Sequence, residues 1–569
     1  MKKIITLATL GMLVAAFPMS AQTVYDAAKI ANKDLNGTAR FVGMGGAMGA
    51  LGGDISTIGT NPAGIGIYRS NDAMVSFGLS AYGMESDYMG NKMNLDKKKG
   101  AFDNAGFVFS SKIGNATALR YVNFGFNYHK AKSFYKNMSM NGNLGEHTQT
   151  DYMAAQATGI EGWGNDPFND SNIGWLSALG YQSYLITDVI FHNGQGGVPA
   201  GYVPYMVDGV QVKNLDGDLA YITPGEYGGM YWGGNGTFRS EERGGIDQYD
   251  FNVSFNINDR VYLGMTIGAY VVDYRKYTFY DENYLDNAGN PIGQGYNLQS
   301  WNKIRGTGFD VKFGAILRPF EYSPLKIGLA IHTPTYYSLD YKTNARVESD
   351  VLNDLDIAIE DGAVESGEIG LYDIDTYDIL DGDMVRQFRL QTPWTYNVSL
   401  GYTVGKELAL GAEYEYQDYS SMKFRDQEGY SETFEYENST TPMLKGVSTI
   451  RLGAEYKVIP QFALRVGYNY STAIFNKDAY KDLPINSIQT DTDFANTKAL
   501  SNYTLGIGYR GKMFYADLAY KYSSYKEDFY PFVDASMNRA GVLEMNGAPE
   551  VTKVKNTRSQ VLLTLGLRF

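Results

Sequence analysis

Apolar and polar residues alternate in twos along much of this chain, most clearly at its end. In VLLTLGLRF, Val561, Leu563, Leu565, Leu567 and Phe569 share one face, and Leu562, Thr564, Gly566 and Arg568 share the other. Successive side chains of a strand point to opposite sides, so the stretch reads as a strand with one apolar face. Tyr249, Phe251, Val253, Phe255 and Ile257 alternate in the same way with Asp250, Asn252, Ser254 and Asn256. The next run sets Val261, Leu263, Met265, Ile267 and Ala269 against Gly264, Thr266 and Gly268. This periodicity predicts strands near 73–81, 102–112, 116–130, 248–257, 260–274, 304–318, 323–332, 392–404, 406–418, 445–458, 461–471, 502–511, 513–522 and 559–569.

Charges fall on the second face. Glu413 and Glu415 alternate with Ala412, Tyr414 and Tyr416, Arg465 lies between Leu464 and Val466, and Arg451 and Glu455 oppose Ile450, Leu452 and Tyr456. An arginine facing lipid at mid-bilayer costs roughly 2–4 kcal/mol, whereas one facing a polar lumen can pair with a neighbouring carboxylate. Connections support the same reading. Short ones near Gly114–Ala116, Asn258–Asp259, Pro319–Ser323, Val404–Lys406, Val458–Pro460 and Gly511 alternate with long ones at 131–247, 275–303, 333–391, 419–444, 472–501 and 523–558. One rim therefore carries turns and the other carries loops. The expected fold is all-β: a 14-stranded antiparallel transmembrane β-barrel spanning 73–569, with large outer loops at 131–247 and 333–391.

The start of the chain changes the picture from a bare barrel to an exported one. Lys2 and Lys3, an apolar run from Ile4 to Phe17, and Pro18 to Ala21 read as a signal peptide over 1–21. The run is short for a spanning helix, and no later segment has eighteen consecutive apolar residues. The chain has no cysteine, which excludes disulfides, cysteine metal sites and lipid attachment through cysteine. The formal charge of −14, or about −16 without the two leader lysines, disfavours nucleic-acid binding. The 47 tyrosines suit membrane interfaces, and the 65 glycines suit crowded barrel walls and hairpins. Residues 347–383 hold thirteen Asp or Glu and no Lys or Arg, which reads as a solvated outer loop and matches no defined calcium loop. The 131–247 insertion, with Trp163, Trp175 and Trp232, is expected to cover part of the outer opening.

Residues 22–72 do not alternate. VYDAAKIANKDL, from Val24 to Leu35, predicts a short helix ended by Asn36-Gly37, and a glycine-rich stretch follows. No strand precedes these glycines, which argues against a dinucleotide fold, and there is no lysine-bearing phosphate loop. A plug inside the lumen would pair their backbone groups. GALGGDISTIGTNPAGIG, from Gly49 to Gly66, resembles the amino-terminal hatch of the FadL/OmpP1/TodX family of outer-membrane hydrophobic-compound transporters, and Asn61-Pro62-Ala63 matches its NPA element. RPFEYSPLKIGLAIHTPTYY, from Arg318 to Tyr337, and the terminal LGLRF resemble further family landmarks.

The resemblance implies passive uptake of small hydrophobic molecules such as long-chain fatty acids or aromatic hydrocarbons. It also implies a hatch that rearranges and a sideways exit at an inward kink of a barrel strand. Asn61, Pro62, Ala63 and Gly64 would form the gating element beside that kink, and Gly125, between Phe124 and Phe126, is the kink candidate. Lys312, Lys326 and Arg465 face inward by parity and are the candidate substrate contacts. Expected partners are outer-membrane lipids and lipopolysaccharide, a hydrophobic substrate and the outer-membrane assembly machinery of a Gram-negative bacterium. The protein is expected to act as a monomer without cofactor, metal or nucleic acid. Two alternatives are a porin for polar solutes and a barrel-anchored receptor or adhesin. The four histidines, at 129, 147, 192 and 332, are dispersed and suggest no catalytic triad, so an enzyme is not expected.

Overall fold

The computed structural model describes residues 21–569 except 161, 193–201, 208–209, 212–217, 224, 230–232, 287, 353–358, 361–362, 365–368 and 538–542. The signal-peptide segment 1–20 and Trp232 lie outside the described residues. Fourteen antiparallel strands form one closed sheet. They are β1 (Asp72–Tyr88), β2 (Asn91–Lys112), β3 (Leu119–Ser133, continued by Lys136–Asn143), β4 (Gly234–Ile257), β5 (Val261–Leu285), β6 (Pro291–Leu317) and β7 (Lys326–His332, continued by Tyr336–Leu352). The circuit continues with β8 (Met384–Gln391 and Thr395–Val404), β9 (Leu408–Asp418), β10 (Gly446–Ile459), β11 (Phe462–Ser471), β12 (Phe494–Arg510), β13 (Phe514–Tyr530) and β14 (Thr552–Arg568). VLLTLGLRF closes it: β14 pairs with β1 from Asp72↔Arg568 to Asp87↔Lys553. The β4–β5 turn has Asn258 and Asp259 at φ 53° and 57°, the left-handed pair favoured in two-residue hairpins. β7 and β8 break side by side at Thr333-Pro334-Thr335 and Thr392-Pro393-Trp394, where proline lacks a ladder donor.

Each predicted strand lies on an observed one, but many observed strands run much further outward. β5 has 25 residues and β6 has 27, far more than the ~10 needed to cross a bilayer. Along β5, Leu263, Ile267 and Val271 are exposed outside while Thr266 and Tyr270 are buried inside. Beyond Val271 the polarity inverts. Asp273 and Arg275 now face out in ion pairs, while Val272, Tyr274, Tyr280 and Tyr284 are buried. The predicted loop 275–303 is thus largely strand, with β5 running to Leu285 and β6 beginning at Pro291. In the same way 82–101 is a hairpin that turns at Met89-Gly90.

This outer extension is filled. The β3–β4 insertion contributes α-helices Gln149–Ala157 and Trp175–Gln182, which pack with Tyr284, Tyr296 and Phe532 in one apolar core. Trp175 donates its indole N–H to the Phe168 carbonyl at 3.0 Å, and Gln149 donates to Thr492 at 2.7 Å. Lys276 of β5 reaches Asp491 at 2.5 Å and Asp493 at 2.6 Å, tying the β11–β12 connection to the wall. In the acidic stretch, Arg346 just before it pairs with Glu348 at 2.8 Å and Asp373 at 2.6 Å; much of the remainder lies outside the described residues.

Inside this cap, Asp151 is half-buried, and burial, with Asp534 adding to it, lifts its carboxyl to about 6. An unfolded aspartate titrates near 3.9, so between about pH 4 and 6 the folded cap binds the extra proton and its stability falls as pH rises. Amide exchange of the Gln149–Ala157 helix should therefore slow between pH 7 and 5, once corrected for intrinsic rates. The slowing should shrink in Asp151→Asn; an equal slowing in that variant would remove Asp151 as its cause.

Candidate functional site: a plugged lumen with a gap in its wall

Residues 21–71 lie inside the barrel. Helix α1 (Val24–Ala31) begins with a Thr23/Asp26 capping box and stops at Asn32, earlier than the predicted Leu35. Helix α2 (Ala39–Gly43) and two 3-10 turns, Ile55–Gly59 and Pro62–Ile67, follow. The wall lets this chain lie flush against it because the facing positions have no side chain. Gly401, Gly411, Gly453 and Gly467 pair in one row across β8 to β11. A Cβ on Gly411 would sit 2.0 Å from the Ala47 carbonyl oxygen, and one on Gly453 2.3 Å from that of Met44. Charges lock the same face. Arg40 makes two hydrogen bonds to Glu455, at 2.9 and 3.0 Å, and Glu455 also takes Arg465 Nε at 2.6 Å.

Asn61, Pro62, Ala63 and Gly64 form a wedge against the strands that precede the glycine row. Asn61 caps the second 3-10 turn by accepting from Ala63 N, and donates to the carbonyls of Gly49 at 2.9 Å and Ala315 at 3.3 Å. Ser254 of β4 donates to the Pro62 carbonyl at 2.8 Å. Ala63 is buried against Tyr262 and Ile316, and a Cβ on Gly64 would meet Thr57 Oγ1 at 2.4 Å. This element therefore seats on β4, β5 and β6, not beside a break in β3. Gly125 is not a break either, since it pairs with Val108 on one side and Asn252 on the other.

The wall opens elsewhere. β2 and β3 pair from Lys112↔Tyr121 only as far as Asn104↔His129. Beyond that, β2 pairs with β1 alone, and β3 with β4 alone. Each strand carries an extra residue where the two part: Asp103 on β2 and Ala131 on β3. Such bulges bend a strand and end its pairing. β3 then breaks at Phe134-Tyr135, and its outer piece turns in behind the top of β1, with Ser86 donating to the Ser139 carbonyl at 2.6 Å and Tyr88 to that of Asn143 at 2.8 Å. Between these limits lies a side window.

Residues of the plug line its inner side. Asp34 N donates to the Ala131 carbonyl at 2.8 Å, and Ser133 N donates to the Asp34 carboxylate at 3.1 Å. Asn36 Nδ2 bridges the parted strands, donating to Asp103 Oδ1 at 2.9 Å and the Lys130 carbonyl at 3.0 Å. Burial opposes ionisation of Asp34, but Lys132 at 3.3 Å and Arg558 at 3.0 Å pull its carboxyl down to about 2, so it is charged at neutral pH. Across the window, the Tyr82 hydroxyl meets Ser133 Oγ at 3.1 Å, and the Tyr82 and Tyr135 rings lie 4.9 Å apart.

Behind the window is a cavity of about 380 Å³, lined by Lys33, Asp34 and Asn36 of the plug, His129 and Tyr135 of β3, and Leu95 and Lys97 of β2. Lys312, Lys326 and Arg465 are not among its lining residues. Lys312 is fully buried between Asp250 and Asp310, both at 2.9 Å. Arg465 joins Glu455 to Asp517, and Lys326 donates to the Leu51 carbonyl at 3.1 Å. All three hold the wall or the plug. Of the window residues, Asp103 falls within the predicted strand 102–112, Asp34 at the end of the predicted helix and Asn36 in the turn after it, but nothing in the pattern marks these or Tyr135 as functional.

No family model matches this sequence, and no curated protein does. Among solved structures it is similar to the Pseudomonas putida toluene transporter TodX, at 10% identity over 94% of this chain and 99% of that chain, with a TM-score of 0.44. It is also similar to a Pseudomonas aeruginosa FadL homologue, at 13% identity over 97% and 99% with a TM-score of 0.43, and to the Ralstonia pickettii toluene transporter TbuX, at 11% over 94% and 99% with a TM-score of 0.40.

The glycine row gives a direct test of the seat. Gly411→Val forces a side chain into the Ala47 backbone, a clash worth about 1–3 kcal/mol. The barrel should still fold and show a heat-shifted band on gels, while single-channel recordings show an open population raised roughly 5- to 150-fold over wild type, as that energy range converts. Unchanged conductance in a folded variant would mean that the plug does not depend on this contact.

Proposed function

We propose that this chain is a passive outer-membrane transporter of small hydrophobic molecules, of the long-chain fatty acid or aromatic hydrocarbon kind, with the plug as its gate and the β2–β3 window as its side opening. One observation carries the reading: the plug supplies hydrogen bonds to the very strand edge that β2 leaves unpaired, and a cavity stands directly behind it. An open sheet edge is not tolerated against lipid, so these plug contacts seal the window at rest. Rearranging 32–37 would expose the edge and join cavity to membrane. The exposed apolar belt, with Phe251, Ile267, Phe313 and Leu505, supports insertion in a bilayer. In this reading residues 1–21 are the export signal, 22–72 the hatch and 73–569 the barrel, inserted by the assembly machinery of a Gram-negative outer membrane. The filled cap and seated plug argue against an open porin.

Reconstituted protein should admit labelled toluene or a long-chain fatty acid into vesicles while passing little inorganic ion current. High steady conductance without hydrophobic uptake would replace this reading with a porin. A cysteine pair at Asp34 and Ala131, whose backbones share a hydrogen bond, tests the gate. Uptake should fall at least fivefold when the pair is oxidised and recover on reduction; equal uptake in both states would reject plug movement at the window.

A further inference from the structure

The inversion of polarity beyond Val271 leaves a basic row on the outside of the wall. Arg243 of β4, Arg275 of β5, Lys303 of β6 and Lys342 of β7 stand directly opposite one another across three ladders. Alternation puts all four outside, because their chain neighbours Glu242, Tyr274, Asn302 and Tyr341 are buried inside. Opposed residues on adjacent strands hold their Cβ atoms about 5 Å apart, and like charges placed so weaken the sheet. Two of the four are already matched. Arg243 pairs with Glu241 at 2.8 Å and covers the Tyr135 ring, and Arg275 pairs with Asp273 at 3.0 Å. Asp273 is itself shared with Arg305 at 2.8 Å.

Lys303 and Lys342 face each other and, among the described residues, have no carboxylate within 4.0 Å. Asp340, two residues from Lys342 on the same face, lies opposite Arg305 and accepts from the Gln387 amide at 2.9 Å. Asp383 accepts from Asn344 at 2.6 Å. The surfaces on either side of the row differ. Toward the belt, the exposed rings of Phe309 and Tyr336 meet at 5.6 Å. Away from it, Tyr277 meets the exposed Trp301 at 5.3 Å. Arg275 lies four residues past Val271, about 13 Å along the strand, and a tilt near 45° makes that roughly 9 Å of height. Lysine stems reach several ångströms back from that level, so their ammonium groups stand where acyl chains give way to headgroups. From the membrane outward the face therefore offers apolar rings, then ammonium groups, then a stacked aromatic pair.

A phosphorylated glycolipid has the same order: acyl chains, phosphate, sugar. We propose that this face binds such a lipid of the outer leaflet, with Lys303 and Lys342 donating to its phosphate, Arg275 beside them, and Tyr277 and Trp301 against the sugar. An anion between two opposed ammonium groups replaces their repulsion with charge-assisted hydrogen bonds. The aromatic pair takes the apolar C–H face of a sugar ring. This needs the barrel to stand in an outer membrane, and it is independent of what the barrel transports.

Delipidated full-length protein in an uncharged detergent, titrated with monophosphoryl lipid A, its dephosphorylated form and phosphatidylglycerol, tests the face by native mass spectrometry. Monophosphoryl lipid A should bind at least tenfold more tightly than the dephosphorylated form. That preference should fall below threefold in K303Q/K342Q, and should persist in K406Q/K512Q, which removes two lysines from turns at the opposite rim. W301A should weaken monophosphoryl lipid A at least threefold and leave phosphatidylglycerol unchanged, because only the first carries a sugar. The heat-shifted gel band reports folding of each variant. Equal binding of the dephosphorylated form, or an undiminished preference in K303Q/K342Q, would overturn the proposal. So would phosphatidylglycerol binding as tightly as monophosphoryl lipid A, since the face would then select charge and no glycolipid. Toluene uptake by wild-type vesicles is scored separately: its absence removes the transporter reading, while the glycolipid preference stands or falls on these titrations alone.

Discussion

A strand edge cannot stand open against lipid, and this molecule has one. Past Asn104↔His129 the two strands part at paired bulges, leaving N–H and C=O groups of β3 without a sheet neighbour. Each unsatisfied group would cost several kcal/mol in hydrocarbon. Residues 34–36 of the plug meet that demand from inside, with Asn36 spanning both strands and Asp34 pinned by Lys132 and Arg558. The rest of the architecture keeps those three residues in place. α1 is held in the lumen by Lys29 on Glu242 and by Tyr25 stacked on Phe475 at 4.6 Å. The chain after it is clamped by Arg40 and lies along the glycine row.

The barrel therefore does two jobs with opposite polarity rules. Within the bilayer its wall is apolar outside and charged inside, and the charges pair: Arg451 with Glu413 and Glu415, Lys312 with Asp250 and Asp310. Buried pairs of this kind contribute little net stability, because desolvation offsets attraction, but losing one partner strands the other. They fix the position of wall and plug. Above the bilayer the described parts of the same strands enclose an apolar core shared with the helices of the β3–β4 insertion. In the described wall, the break in pairing lies at the side, between β2 and β3.

How much of this was legible in the sequence follows from which periodicities it carries. Alternation marked the bilayer-crossing part of each strand, because a single rule, apolar out, holds there. Thr266 and Ile267, or Glu413 and Tyr414, were assigned to the correct faces for that reason. The outer halves were lost because the rule inverts near Val271, which shifts the apolar residues to the opposite parity and makes strand look like loop. Inward cations were visible, but not their roles. Lys312, Lys326 and Arg465 read as ligand contacts; their engagement went unread because it is completed by residues far along the chain, Asp250 for Lys312, Leu51 for Lys326 and Asp517 for Arg465. The window had no local signature at all. It exists because β2 and β3 stop pairing, a relation between segments, and because Asp34 and Asn36, which looked like the frayed end of a helix, reach that place.

The proposed transport requires the plug to leave the β3 edge when the cavity is in use. Amide hydrogen exchange of Asp34 and Ser133, measured in lipid nanodiscs with and without saturating toluene, reads that event directly. Both amides are hydrogen-bonded at rest. They should exchange slowly without the hydrocarbon and at least tenfold faster with it, while Val108 and Phe126 in the intact part of the β2–β3 ladder stay protected. If Asp34 and Ser133 remain protected in preparations that demonstrably take up toluene, the window is not the gate.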